Sequence, residues 1–216
     1  MVRTFGRLAA FLGVLLVATG CQSSGERVPE AFRGEGRQRL RLAVEAVRES
    51  EVALDVQIGE LRRRLQGASE GDFGELVRKY ESLLEIQDAL GRATAVVRSR
   101  FRDLERIASE LFAAWELEIR GRADPLEASG SRRQLNETRT RFHQFTSTVR
   151  MVESAADPVL SQLADPLPHL SRPWTPAVAA GVQSGLTALS GDADRWSEQV
   201  RESIARADAF LRSMPP

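Results

Sequence analysis

The sequence predicts an all-α fold: a long antiparallel coiled-coil hairpin packed with further helices into an elongated helical bundle. Three observations carry this prediction. Ala, Leu, Arg and Glu dominate the chain and aromatic residues are few, a balance that favours helix over sheet. Apolar residues recur at steps of three and four along most of the length, the spacing of one helix face. No segment reads convincingly as a strand.

The first element is a targeting segment. Arg3 and Arg7 precede an uncharged run from Leu8 to Gly20, and the sole cysteine, Cys21, follows Ala18-Thr19-Gly20. A basic start, an apolar middle and small residues at the end have the layout of a secretory signal. The run is well short of the roughly 20 residues that span a membrane. Small residues ending in cysteine resemble a bacterial lipobox, so residues 1–20 are expected to be a signal peptide and Cys21 the site of lipidation. Two or more acyl chains anchor stably where one is marginal. Gln22, in place of an Asp, favours the periplasmic face of the outer membrane by resemblance to the sorting rule of many Gram-negative bacteria. Residues 21–36 are polar, with Gly, Ser and Pro29, and read as a lipidated flexible tether. Residues 37–213 then form the helical bundle domain.

The first helix carries Leu40, Val44, Val47, Leu54, Ile58, Leu61 and Leu65 on one stripe, which Glu51 interrupts. The run from Gln66 to Asp72 breaks the pattern; Gly67 suits a helix end and Asp72 a cap. In the second helix Leu76, Tyr80, Leu83, Gln87, Leu90, Thr94, Val97, Phe101, Leu104, Ala108, Leu111 and Trp115 alternate steps of four and three. That is a sustained heptad seam. A helix from Phe73 to Arg120 is roughly 70 Å long at 1.5 Å per residue, so the first helix is expected to fold back along it. Pro125 stops it, and a third helix follows Gly130 and Ser131. Its stripe is Leu135, Thr138, Phe142, Phe145, Val149, Val152 and Ala156. Asp157-Pro158 reads as a kink or as a cap and first-turn proline. A proline-rich connection over residues 165–176 leads to a last helix from Ala177 to Arg212. Its expected face is Val178, Val182, Leu186, Leu189, Trp196, Val200, Ile204 and Leu211.

Several of these segments together resemble the bacterial lipoproteins of domain-of-unknown-function family 2959. They are the lipobox, the helix ending Glu110-Leu111-Phe112-Ala113-Ala114-Trp115-Glu116, Arg133-Gln134-Leu135-Asn136-Glu137-Thr138-Arg139, Ala156-Asp157-Pro158-Val159-Leu160, and Ser203-Ile204-Ala205-Arg206-Ala207-Asp208-Ala209-Phe210. Their order along the chain carries the resemblance. The segment Pro168–Trp174 departs from the family pattern. The resemblance implies a helical, coiled-coil-containing lipoprotein and transfers no catalytic residues.

Charge excludes one class of partner. Removing residues 1–20 takes Arg3 and Arg7 from 30 basic residues and leaves 28 against 30 acidic, with no basic bias toward nucleic acid. Lys79 is the only lysine. A lone cysteine used for lipid leaves no internal disulfide. His143 and His169 lack the converging ligands that a metal needs, and no nucleophile elbow, phosphate loop or His-Glu-x-x-His occurs. No cofactor, metal or catalytic residue is therefore assigned. The candidate partner contacts are Trp174, between Pro173 and Pro176, and the basic cluster Arg132, Arg133 and Arg139, which suits acidic lipid or a carboxylate-bearing glycan.

The expected function is non-enzymatic: a lipid-anchored periplasmic spacer or adaptor, held to the membrane through its N-terminal lipid and meeting envelope proteins or another copy of itself. The alternative is a lipid or small-molecule binding module with Gly91, Gly181 and Gly185 lining a gap between helices. An envelope hydrolase is the weakest reading.

Overall fold

Four long helices follow one another in the computed structural model, which describes residues 30–66, 73–164 and 175–214. A short 3-10 turn at Glu30–Phe32 leads into α1 (Glu35–Gln66). Then come α2 (Phe73–Gly121), α3 (Pro125–Ala164) and α4 (Pro176–Ser213). Gly34 takes φ +53° between the turn and α1, a left-handed conformation that glycine adopts without a steric penalty.

Cross-helix pairs fix the topology. Phe32 meets Trp115, Arg39 pairs with Glu110 and Arg64 with Glu85, so α1 and α2 run antiparallel. Arg139–Glu116, Arg150–Glu105 and Arg98–Asp157 set α3 antiparallel to α2. Thr148–Ser203 and Gln162–Asp192 set α4 antiparallel to α3. Arg48–Asp208 and Arg62–Asp194 close α4 back onto α1. The result is an up-down-up-down four-helix bundle in which each helix packs on two neighbours. The expected hairpin is its α1–α2 half. At ~1.5 Å per residue the 49 residues of α2 extend about 74 Å.

The core follows the sequence stripes closely in α1 and α3. All seven apolar residues expected on α1 are buried, and so are all seven stripe residues of α3. On α2, Ile86, Phe112 and Ile119 are buried beside the seam. A helix wedged between two neighbours buries a broader face than a two-stranded coiled coil does. On α4 the seam differs from expectation. Ala193, Ser203, Ala207 and Phe210 are buried, whereas Ile204 and Leu211 are only partly so. Small residues at the core line let the helices approach, and Phe210 fills the space against Phe142 and Phe145.

Three boundaries differ from the sequence reading. Residues 30–36, read as tether, belong to the folded body, because Phe32 is fully buried on Trp115 with ring centroids 4.7 Å apart. α3 begins at Pro125, not after Gly130-Ser131. Asp124 caps it by accepting the Leu126 N–H at 2.9 Å, Pro125 takes the position where a missing N–H costs nothing, and Ser131 is held inside the helix by Trp115. Pro158 does not start a new helix. α3 runs through it to Ala164 because Ala156, Val159 and Leu163 continue the buried face. Gly67, Asp72, His169 and the proline-rich connection up to Trp174 lie outside the described residues.

Candidate functional site

Two places in the bundle stand out chemically. The first is a buried polar layer midway along it. Glu51 occupies a core position of α1 with 0% of its surface exposed. Neither carboxylate oxygen has a partner at full hydrogen-bond geometry among the described residues, and the Ser203 hydroxyl is close enough only to favour the charged form. Ser203 of α4 and Thr148 of α3 are also buried, and Thr148 Oγ1 pairs with Ser203 Oγ at 3.2 Å and with the Phe145 carbonyl at 2.7 Å. Burial pushes the Glu51 carboxyl up to about 7; the Ser203 hydroxyl opposes this, and the negative charge of Glu153 on α3 adds to it. Glu153 itself is raised by burial, against the pull of Arg98 from α2. A carboxylate in a low-dielectric core favours its neutral form unless a cation or hydrogen bonds hold the charge. The layer thus places an ionisable group with a raised pKa among buried side chains of three helices.

The second place is the end of the bundle where α2 passes into α3. Glu30 donates its backbone N–H to Glu118 Oε1 at 3.1 Å, so the described chain starts at this end. Arg122 ties the turn together by pairing with Glu118 at 3.0 Å and Glu127 at 3.6 Å. Beside the turn a groove is lined by Glu116, Ile119, Arg120, Arg132, Leu135 and Asn136. Arg139 engages Glu116, holding that carboxyl below its usual range, and lies over the Phe112 ring at 5.4 Å. Arg120 and Arg132 make no ion pair or hydrogen bond among the described residues. Two apolar side chains point outward at this end: Leu117 is 67% exposed and Leu126 82%.

The three arginines marked in the sequence are therefore divided. Arg132 and Arg133 are exposed on α3 and line a surface groove with Ser129, Asn136 and Thr140. Arg139, about two turns further on, is bound into an ion pair. Arg120, Leu117 and Leu126 were missed because an exposed residue leaves no periodic signal. Cys21 and Trp174 lie outside the described residues. The other two tryptophans are core residues: Trp115 donates to Ser131 and Trp196 to the Val152 carbonyl. A Cβ added at Gly91, Gly181 or Gly185 would meet nothing within 4 Å, so none of them marks a close helix approach. Gly181 and Gly185 are exposed. Among the described residues no group of His, Cys, Asp or Glu is placed to hold a metal ion. No described helix is long and apolar enough to cross a membrane.

The sequence model of a family described as protein of unknown function (DUF2959) matches residues 28–214. The chain belongs to the DUF2959 family. No curated protein matches it at a significant level. The DUF2959 match takes in the 3-10 turn and all four helices, and so both the Glu51 layer and the α2–α3 end. Cys21 lies before it.

Proposed function

We propose that this DUF2959 protein is a lipid-anchored, non-enzymatic spacer or adaptor of the bacterial envelope, on the periplasmic face of the outer membrane. One observation carries the reading: the chain enters the bundle at one end, locked there by Phe32 on Trp115 and by Glu30 on Glu118. A lipid on Cys21 then holds the bundle by that end and leaves its length free to present side-chain surface to a partner. The filled core supports a structural role, since Trp115 and Trp196 occupy the interior at two levels. Outward-facing apolar residues on α1, namely Leu42, Val52 and Val56, offer contact area for a protein partner or a second copy.

The test is in-cell cross-linking followed by mass spectrometry of captured proteins, with a Cys21→Ala strain as control. A reproducible partner set that disappears in the control is the expected result. Capture that is identical in both strains would overturn the anchored adaptor.

A further inference from the structure

We propose that the α2–α3 end of the bundle is a membrane-contacting surface, on which Leu117 and Leu126 enter the headgroup boundary of a phospholipid bilayer and Arg120 and Arg132 engage lipid phosphates. The proposal deepens the anchored reading and rests on lipidation of Cys21.

Four observations select this surface and this occupant. The first is covalent reach. Nine residue-to-residue steps lead from Cys21 to Glu30, and at ~3.4 Å each they extend at most about 31 Å. An anchored chain therefore keeps this end near the bilayer, whereas the opposite end of α2 lies about 74 Å away along the 49-residue helix. The second is apolar exposure. Leu126 and Leu117 are the two most exposed large apolar side chains described, and both lie within a few residues of the α2–α3 turn. Leucines facing water beside a membrane gain by entering the interface. The third is positive charge without a salt bridge. Arg120 and Arg132 share one groove; among the described residues Arg132 has no ion-pair partner, and Arg120 acts on Glu116 only through space. Arg33 and Arg37, at the start of α1, likewise pair with no acidic residue among those described. Guanidinium groups bind phosphate oxygens in a two-pronged geometry. The fourth concerns the acidic residues at the same end. Asp124 caps α3, Glu35 lies in the first turn of α1, Glu118 and Glu127 are held by Arg122, and Glu116 by Arg139. Glu30 lies in the first turn of the 3-10 helix. Helix N-termini and ion pairs take up much of this negative charge, and Arg33, Arg120 and Arg132 are exposed beside it.

The chain has one cysteine, and acylation blocks its thiol, so an introduced cysteine takes up a thiol-reactive dye alone. The full protein, purified with its native lipid, is reconstituted in vesicles of phosphatidylethanolamine with a minor share of phosphatidylglycerol. A polarity-sensitive dye is placed by Leu126→Cys at the proposed surface, or by Ala188→Cys on exposed α4 toward the far end. The expected result is blue-shifted emission, quenched by a lipid-borne quencher, at position 126 and neither effect at 188. Arg120→Glu with Arg132→Glu should abolish the shift at 126 while acylation persists. Equal solvent exposure at both positions in an acylated chain would overturn the membrane-contacting surface and leave the anchor standing. Uptake of dye by the unsubstituted chain would instead show a free Cys21 thiol and overturn the anchor. Leu117→Glu in the Leu126→Cys chain should weaken the blue shift at 126 while acylation persists, and an unaltered shift would overturn the entry of Leu117 into the headgroup boundary. All five substituted side chains are exposed, so unchanged helical melting is expected of every variant.

Discussion

The indole of Trp115 on α2 donates to the hydroxyl of Ser131 on α3 at 2.9 Å, with both groups buried. This bond closes the end of the bundle that also holds Phe32. Ser131→Ala removes the acceptor and leaves the indole N–H without a partner in the core. An unsatisfied buried donor costs about 1–3 kcal/mol. The melting temperature should fall by about 2–4 °C for each kcal/mol lost, read by circular dichroism. Unchanged melting would show that the indole finds another acceptor.

Glu51 makes stability depend on pH. Its folded-state pKa of about 7 lies above the ordinary 4.5, so the folded chain holds this proton more tightly than the unfolded chain. The folded state is therefore least penalised below pH 4.5 and progressively penalised up to pH 7. At ~1.4 kcal/mol per unit, the penalty above that window is about 3 kcal/mol. Glu153, raised by burial as well, adds in the same direction. Denaturation in urea across the window should show wild type losing stability as pH rises, and Glu51→Gln much less so. Parallel pH profiles for the two chains would contradict this.

Phe32 fastens the entry of the chain. Its ring is fully buried against Trp115, and truncating a buried phenylalanine costs about 3–5 kcal/mol. Phe32→Ala should lower stability by that order. It should also speed amide exchange over residues 30–40 well before the middle of α1 is affected. Uniform faster exchange along all four helices would point to global weakening instead.

Pro158 lies exposed inside α3. It has no N–H to give the carbonyl of Ser154, and its ring crowds that carbonyl. Pro158→Ala restores the donor without touching the buried face, so stability should rise, by at most about 3 kcal/mol. A fall in melting temperature would show that Pro158 relieves strain at this level of the bundle.

Most of the fold was legible because burial writes a period into a helix. Leu40 through Leu65 on α1 and Leu135 through Ala156 on α3 could be placed from spacing alone. The α4 seam was harder to read. Ala193, Ser203 and Ala207 are buried for being small, and hydrophobicity favours the larger Ile204 and Leu211 beside them. The α3 start was obscured by Gly130, whose helix-breaking tendency is outweighed by the Asp124 cap and the Trp115–Ser131 bond. Glu51 was visible as an interruption of a stripe, but only the bundle shows that it stays inside. The α2–α3 end was invisible. Leu117 and Leu126 are ordinary helix residues until the chain entry at Glu30 is placed beside them.

An even number of antiparallel helices has a consequence of parity. α1 begins and α4 finishes toward the same end of the bundle, as Arg48 opposite Asp208 records. A reporter fused behind Met214 would thus sit close to the point where the chain enters the bundle. Gln66 and Ala164 both lie at the distal end, and cargo meant to stand clear of an anchoring surface should be inserted after one of them.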